Sequence, residues 1–447
     1  MPWDHLRLTP LALCLGIVLA LPRETEATSA VVRGAPPVTN CADSGAGSLR
    51  DAVAAAVSGD TIDMTSLGCS EITLTTGAIQ TNLAALTLRG PPSPATRLNI
   101  RQSPPATNPV LMQNTAGGTF NLYDLELSDG NNVGIAAGGG CLYSAGSIYL
   151  KNVLIDNCRV MRDGGGVWAG GTLEMQSSDV VNNTMALGVP IGRGGGVYAR
   201  GGLIMGYSTV SYNAAEALAT GSVAYGGGAF TQGSADISHS TISGNVAGGR
   251  DGPLPGSVGG LSIAGYAAYA HIVDSTISGN HADSLVGGVY TNTPLTLSNS
   301  TIAFNTATNS SYSSRYAAGG VHVYQTSAVL ESTILAHNTA AGTERDLEGY
   351  FADVTGAANL IMSSTLSPPG TLSADPMLLP IAANGGRTPT HALAAGSPAI
   401  DQGNNLMTLA SDQRGPPFVR EFGSAPDIGA FEVQEQQDEI FANGFDP

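Results

Sequence analysis

Aromatic residues recur at one position of a glycine-containing repeat, where flat rings could hold a sugar. The residue two places after each of seven glycine runs gives the column Leu142, Trp168, Tyr198, Phe230, Ser262, Tyr290 and His322. Neighbouring side chains of a strand point to opposite faces, so this column should lie outside if the aliphatic residues before it lie inside. An exposed apolar strip usually marks an interaction site. The predicted ligand-binding residues are Trp168, Tyr198, Phe230, Tyr290 and His322.

The alternative for this column is structural. Loops of about 13 to 15 residues can fold back over the rings and make a second small core. That alternative is the favoured one on the sequence, and it stays open here.

Acidic and basic residues form none of the patterns that carbohydrate-active enzymes commonly use. The chain has no Asp-Asp pair and no Gly-His-Gly, and Lys151 is its sole lysine. Five aspartates fall at different phases of the repeat: Asp156, Asp163, Asp179, Asp236 and Asp274. We therefore predict no catalytic residue and lean towards a non-enzymatic protein. Carboxylates distant in sequence can still meet in a fold, so a polysaccharide lyase or glycoside hydrolase remains the alternative.

The histidines do not have the spacing of a metal site. They are dispersed, without i, i+4 pairs or cysteine partners, at His239, His271, His281, His322, His337 and His391. Zinc sites in particular draw ligands from such pairs. We predict no metal and no cofactor.

These residues sit in an internal repeat that fixes the fold class. Each glycine run is followed by an asparagine, and the intervals from the last glycine are 17, 17, 17, 17, 20, 17 and 18 residues. The return intervals vary from 8 to 15 residues. A unit with one constant and one variable part is typical of a solenoid whose loops leave along one flank.

Short alternating segments such as Leu203-Ile204-Met205 and Leu295-Thr296-Leu297 predict strands, and no useful helical period accompanies them. We predict an all-β fold: a single-stranded right-handed parallel β-helix with N- and C-terminal caps. Stacked turn asparagines should form a ladder that satisfies buried backbone groups. Its predicted members are Asn157, Asn183, Asn213, Asn245, Asn280, Asn305 and Asn338.

The first residues predict export. His5 and Arg7 precede the apolar stretch 11–21, which ends at the small-residue site Thr25-Glu26-Ala27. This order is typical of a signal peptide. A lipid anchor on Cys14 is disfavoured because Leu13 stands where a small residue is needed. No other apolar run approaches the roughly 18 residues of a membrane span.

Composition limits the classes of molecule that the protein can bind. Only 12% of the residues are charged, and the net charge is −17, so a nucleic-acid partner is excluded. Acidic, pectin-like substrates should be repelled by such a chain unless Ca²⁺ bridges them. Cleavage of the signal leaves Cys41, Cys69, Cys141 and Cys158, an even number in a compartment that permits disulfides. Nearest-neighbour pairing is the favoured choice among three connectivities.

Two segments resemble known bacterial families. The glycine run with its aliphatic-x-x-Asn partner, over about residues 116–345, resembles the repeats of polymorphic outer membrane proteins. Later motifs resemble the choice-of-anchor Q domain: Asn384-Gly385-Gly386-Arg387, Gly396-Ser397-Pro398, Asp412-Gln413-Arg414-Gly415 and Asp427-Ile428-Gly429. The resemblance implies a surface β-helix protein and no general catalytic activity.

Gly47-Ser48-Leu49-Arg50-Asp51 is similar to the N-terminal cap of secreted β-helix proteins, although glycine replaces the usual cysteine before Ser-Leu-Arg. In the C-terminal motifs, His391, Asp401, Asp412, Arg414 and Asp427 should tie the segment together rather than bind a ligand.

The predicted organisation is a signal peptide (1–27), a cap with irregular coils (28–115), regular coils (116–345), a C-terminal cap (346–433) and a tail with a candidate sorting motif (434–447). The leading hypothesis is a secreted or surface protein of a Gram-negative bacterium. It would be a monomer that presents loops for adhesion or for binding an extracellular glycan or protein.

Overall fold

The computed structural model describes residues 35–434 apart from 93–96, 135–137, 188–190, 218–222, 249–255, 266–267 and 309–316. The predicted signal peptide and Cys14 lie outside the described residues, as does the tail beyond Gln434. No helix in the described ranges is long and apolar enough to cross a membrane.

The described chain winds through stacked coils whose strands form four long sheets and one short sheet, here numbered in the order in which a coil visits them. The strands of the first sheet are Ile79–Thr81, Leu111–Gln113, Leu142–Ser144, Val167–Ala169, Val197–Ala199, Ala229–Thr231, Leu261–Ile263, Val289–Thr291, Val321–Tyr324 and Leu347–Tyr350. The strands of the second sheet are Thr61–Asp63, Ala85–Arg89, Thr119–Tyr123, Ser147–Lys151, Thr172–Gln176, Gly202–Gly206, Ser234–Ser238, Ala270–Val273, Leu295–Ser298, Ser327–Glu331 and Asp353–Ala357.

The strands of the third sheet are Glu71–Leu74, Leu98–Gln102, Leu125–Ser128, Leu154–Asp156, Asp179–Val181, Thr209–Ser211, Thr241–Ser243, Thr276–Ser278, Thr301–Ala303, Ile334–Ala336 and Leu360–Ile361. The strands of the fourth sheet are Asn131–Asn132, Arg159–Val160, Thr184–Leu187, Ala214–Ala217, Val246–Gly248, His281–Ala282, Thr306–Ala307, Thr339–Ala340 and Thr343–Glu344. The strands of the fifth sheet are Ile191–Arg193, Val223–Tyr225 and Gly256–Val258.

Parallel pairing and inward packing follow from the alternation in each strand. In Thr172–Gln176, Leu173 and Met175 are buried, while their neighbours are half-buried. The same residues pair in parallel register with Leu203 and Met205 of the next coil. Aliphatic side chains therefore stack on one another along the axis and form one long core. The predicted all-β parallel β-helix is confirmed.

The N-terminal helix Leu49–Ala55 lies against the first coils. Ser48 is its N-cap, because the Ser48 hydroxyl accepts a hydrogen bond from the backbone N–H of Asp51 at 3.2 Å. Leu49, Ala52 and Val53 are buried in the long core. This helix shields apolar side chains that the absence of a preceding coil would leave open.

A buried asparagine ladder runs along the turn between the third and fourth sheets. The side-chain oxygen of Asn213 accepts from the backbone N–H of Asn183 at 3.0 Å, and Asn245 does the same for Asn213 at 2.9 Å. The ladder consists of Asn183, Asn213, Asn245, Asn280, Asn305 and Asn338, and Asp346 ends it.

Each ladder asparagine packs on the last glycine of its own run. A Cβ on Gly166 would lie 2.9 Å from Cγ of Asn183, so this position has no room for a side chain. The same contact joins Gly196 to Asn213 and Gly228 to Asn245. The nearly constant sequence interval therefore measures one fixed contact inside each coil.

Asn157 is not a ladder member, which corrects the sequence prediction. Arg159 pairs with Thr184, so Cys158 is the residue aligned with Asn183. Asn157 instead has φ +53° and donates from its exposed side chain to Asp129. The sequence register was one residue early because Cys141, and not Gly140, occupies the place of the last glycine in this coil.

A second ladder, of serines, escaped the sequence analysis. It runs along the turn between the second and third sheets, where Ser208 accepts from the backbone N–H of Ser178 at 3.1 Å and Ser240 accepts from Ser208 at 3.1 Å. The signal was present, because Ser178, Ser208, Ser240, Ser275 and Ser300 each precede a ladder asparagine by five residues.

The two predicted disulfides, Cys41–Cys69 and Cys141–Cys158, are confirmed. The Cys141–Cys158 disulfide occupies the position of the glycine–asparagine pair in later coils. The backbone N–H of Cys158 donates to the Asn183 side chain at 2.9 Å, as a ladder residue would. The disulfide thus begins the ladder.

We expect Cys141→Ser/Cys158→Ser to lower the free energy of unfolding by about 3 kcal/mol, because a cross-link over 17 residues restricts the unfolded chain. Cys141→Gly/Cys158→Asn should recover part of this loss, since it restores the pair used by the next coil. Urea unfolding of the three proteins measures both effects. An equal loss of stability in the two double variants would contradict the equivalence of the disulfide and the glycine–asparagine pair.

Residues 375–434 lie along the outer side of the third sheet, whereas the sequence predicted a cap. The Ser278 hydroxyl is 2.7 Å from Nε2 of His391, and the Thr276 hydroxyl donates to Gln413 at 2.6 Å. Elsewhere in the segment, the carbonyl of Asn404 accepts from Ser332 at 2.9 Å, and Arg387 pairs with Asp179 at 2.7 Å. These contacts span many coils, so the segment acts as a lateral clamp.

The C-terminal motif residues hold the segment together internally. Nε of Arg414 donates to Asp412 at 2.9 Å, and its guanidinium lies 3.8 Å and 3.9 Å from the ring centroids of Phe418 and Phe431. Asp427 accepts from the backbone N–H of Asp401 at 2.8 Å. A charged, planar side chain between two rings combines ion pairing with cation–π attraction.

One fully buried ionic group joins the segment to the coils. Arg420 pairs with Asp274 of the coils and with Glu432 of the segment, each at 3.2 Å, and all three side chains are 0% exposed. Burial raises the pKa of Asp274 to about 8 and that of Glu432 to about 7. Burial lowers the pKa of the adjacent His239 to about 4, which keeps its ring neutral.

Candidate functional site

An aromatic column runs up the outer face of the first sheet. Tyr143 stacks on Trp168 with ring centroids 4.8 Å apart, Trp168 on Tyr198 at 5.6 Å, and Tyr198 on Phe230 at 5.7 Å. Further along, Tyr290 stacks on His322 at 5.8 Å. Register pairing aligns all of them, because each strand repeats the same residue position at one coil rise.

Leu142 does not belong to the column, which is the second consequence of the one-residue register error. Leu142 pairs with Val167 and faces the long core, whereas Tyr143 pairs with Trp168. The first coil of the column therefore contributes a tyrosine.

The rings are not an exposed strip. Their planes are nearly parallel, at 13° between Trp168 and Tyr198 and 2° between Tyr198 and Phe230, so neighbouring rings cover each other's faces. Tyr198 is 5% exposed, Phe230 4% and His322 1%, while Trp168 and Tyr290 are half-buried. Trp168 lies between two rings and has no face left for a sugar.

Segments of the variable loops fold back beside the column, as expected from the alternative in which the loops make a second small core. Val258 of the fifth sheet packs with Val286 and Ala318 in a small separate core, against which Leu285 and Tyr290 lie. The column is thus partly a packing feature. Any binding function must depend on the part of it that remains accessible.

The column is interrupted once between its described rings, at Ser262. Ser262 pairs with Phe230 on one side and Tyr290 on the other, so a serine stands where the neighbouring coils carry rings. A pocket of about 380 Å³ opens at this point. Its lining consists of Arg193, Tyr225, Phe230, Gln232, Val258, Ser262, Ala264, Leu285 and Tyr290.

The pocket has a buried floor, and its sides carry both aromatic and polar residues. Ser262 is 1% exposed and Phe230 4%, so they form the narrow bottom, while Gln232 is exposed at the rim. The Tyr198 hydroxyl donates to Oε1 of Gln232 at 3.1 Å, which leaves the Gln232 amino group as the donor for a ligand. Arg193 forms an ion pair with Asp163 at 3.5 Å. Within the described part of the chain, the lining includes no carboxylate.

A separate group of carboxylates lies on the third sheet, near its N-terminal end and away from this pocket. Burial raises the pKa of Glu126, the charge of Asp156 raises it further, and Arg97 opposes both. Arg97 donates to the carbonyl of Asn152 at 2.9 Å. These three residues come from different coils and were not singled out together by the sequence, because no sequence interval shows which side chains share an outer face.

In the described ranges, no group of three or more His, Cys, Asp or Glu side chains is placed to hold a metal ion. Two of the histidines have polar partners that join the coils to the C-terminal segment. His391 bonds to Ser278, and His337 pairs with Asp375 at 3.2 Å.

Comparison with known proteins adds no functional assignment. No protein-family model matches the chain, and no curated protein matches its sequence. Among solved structures, the chain is similar to the crystal structure of pectate lyase Pel9A, with a TM-score of 0.44, 14% identical residues, and coverage of 87% of this chain and 92% of that chain. At this identity the likeness does not extend to activity. The two family resemblances noted above rest on sequence motifs alone.

The pocket was missed on the sequence although its key residue was named there. Ser262 appeared as one member of the column, and Arg193 and Gln232 were not considered. The available signal was the single small polar residue within a run of rings. Only the coil register shows that such a residue leaves a space.

Proposed function

We propose that this protein is an exported, non-enzymatic binding protein that holds a glycan in the pocket beside Ser262. The observation that carries the proposal is the interruption of the aromatic column, which provides a pocket with an aromatic wall and few polar groups. Small-molecule sites generally have this composition and a volume of about 300–1,000 Å³. A sugar ring offers an apolar face to Tyr290 and hydroxyls to Gln232 and Arg193.

Export and a surface location belong to the same proposal. The two disulfides are consistent with an extracellular protein. The predicted signal peptide and the choice-of-anchor Q motifs support secretion by a Gram-negative bacterium with attachment to its surface, and adhesion is the corresponding role for the bound glycan.

The test is binding of the mature protein to a glycan array, with and without Ca²⁺. We expect at least one glycan to bind, and we expect Tyr290→Ala to weaken it by about tenfold, because an aromatic wall is a typical energetic anchor of a site. Ser262→Phe should abolish binding by filling the pocket.

Trp168→Ala is the matched control. It removes a ring of the same column that is stacked between two others, so it should lower thermal stability and leave the affinity unchanged. Loss of binding in Trp168→Ala at a temperature where the variant is folded, with Tyr290→Ala unaffected, would move the site away from the pocket.

A second candidate function is glycan cleavage, and the carboxylates of the third sheet favour it. Hydrolysis of a glycosidic bond uses one protonated and one ionised carboxyl group, and the raised pKa of Glu126 beside Asp156 is compatible with that division. Each glycan that binds should be incubated with the protein and assayed for new chain ends. We expect none; product that disappears in Glu126→Gln would establish catalysis.

A further inference from the structure

An arginine, Arg193, lines the pocket, although the chain as a whole carries a net charge of −17. Asp163 is largely buried, which raises its pKa, and the charges of Arg193 and Arg162 both oppose that shift. Burial likewise raises the pKa of Tyr198, and Arg193 and Arg200 oppose it. Arg193 is the arginine that acts on both groups, and Asp163 is the carboxylate with which it pairs.

Arg193 is the lining residue that can place a positive charge against a ligand. It extends from the fifth sheet, and its guanidinium carbon lies 5.6 Å from the centroid of the Phe230 ring. Its side chain is 30% exposed, and it forms an ion pair with Asp163 at 3.5 Å. A guanidinium has five N–H donors in a planar fork that matches a carboxylate. One ion pair at this distance does not use them all.

We propose that the pocket selects a sugar that carries a carboxylate, with the carboxylate on Arg193 and the sugar ring against Tyr290. This inference rests on the proposed glycan-binding function and adds its ligand class. It also reverses the expectation from net charge, because a ligand in the pocket experiences the adjacent Arg193 more strongly than the distant acidic surface, which salt screens beyond about 8–10 Å.

Asp163 is an internal competitor for the same guanidinium. A ligand carboxylate must share Arg193 with the Asp163 carboxylate, and the two negative charges repel each other. Asp163→Asn keeps the shape of the side chain and removes its charge. The structure therefore predicts that this substitution improves binding of an acidic sugar, which is an outcome that loss of folding cannot imitate.

The test compares two probes, a disaccharide that ends in glucuronate and the same disaccharide that ends in glucose, by titration calorimetry with the full mature chain. We expect the acidic disaccharide to bind wild type at least tenfold more tightly than the neutral one. Arg193→Gln should remove this difference, and Asp163→Asn should increase it severalfold. Arg387→Gln, which removes a positive charge from the C-terminal segment, is the control and should change neither affinity.

The outcomes distinguish selection of an acidic sugar from glycan binding in general. Equal binding of the two disaccharides, or a preference that survives Arg193→Gln, overturns the acidic-sugar inference and leaves glycan binding in place. Failure of both disaccharides while another glycan binds in a Tyr290-dependent way also overturns the inference alone. The absence of binding to every glycan on the array overturns the proposed function itself.

Discussion

Replacing Arg420 by methionine should destabilise the protein by about 3–5 kcal/mol, because it leaves two buried carboxyl groups without their cation. Arg420 donates to Asp274 and Glu432 and also to the carbonyls of Gly429 and Asp427, at 3.0 Å and 2.8 Å. No water can replace these bonds without entering the interface between segment and coils. Urea unfolding gives the free energy, and limited proteolysis should show early cleavage within residues 375–434.

The effect of Arg420→Met should depend on pH. In the folded wild type the pKa of Asp274 is raised to about 8 and that of Glu432 to about 7, so folding already favours their protonated forms. For an acid with a raised pKa in the folded state, stability falls as the pH rises from the unfolded pKa to the folded one. The variant should therefore lose more stability at pH 9 than at pH 5, where both acids can be neutral.

Arg387→Ala is the matched control for this prediction. Arg387 also links the C-terminal segment to a coil, through Asp179, but 34% of its side chain is exposed. An ion pair in contact with water contributes about 0–1 kcal/mol. If the two arginine variants lost similar stability, the buried group would not be what attaches the segment.

Replacing Asn245 by alanine should cost about 3 kcal/mol and is the second large effect. Asn245 lies in the middle of the asparagine ladder, where its side chain accepts from the backbone N–H of Asn213 at 2.9 Å and donates to the carbonyl of Val210 at 2.9 Å. Each buried group left without a partner costs about 1–3 kcal/mol. The measurement is the change in the urea midpoint at constant slope.

Asn157→Gly tests the corrected ladder. On the sequence, Asn157 and Asn245 were equivalent, but the structure places Asn157 at φ +53° with one exposed hydrogen bond to Asp129. Glycine adopts this backbone conformation freely, so the change in stability should stay within about 0.5 kcal/mol. A loss as large as that of Asn245→Ala would return Asn157 to the ladder.

The fold class was predictable because its signal is local and repeated. The interval between glycine and asparagine is nearly constant since Gly166 and Asn183 touch within one coil, and the same holds in each later coil. Alternation in strands such as Thr172–Gln176 then states which residues face the core. The Cys141–Cys158 pair also carried a signal in the sequence, because its interval equals the glycine–asparagine interval of the following coils.

The register of one coil was predicted wrongly because residues next to the true positions have the types expected there. In this coil Cys141 and Cys158 occupy the places of the glycine–asparagine pair, but Gly140 and Asn157 directly precede them. Taking Gly140 and Asn157 as the pair shifted the predicted register of the coil by one residue. A shift of one residue in a strand moves every side chain to the other face, so Leu142 was placed in the column instead of Tyr143.

The sequence by itself therefore determined the coil, its core face and the asparagine ladder from Asn183 onward, and it favoured the correct disulfide pairing, because each depends on contacts within one coil or between adjacent coils. Tertiary structure alone decided how much of each ring is accessible, that Ser262 opens a pocket which Arg193 reaches from another sheet, and that Arg420 is buried against Asp274. Those contacts join residues whose separation in sequence varies with the loops, and side-chain burial depends on what the loops and the C-terminal segment cover.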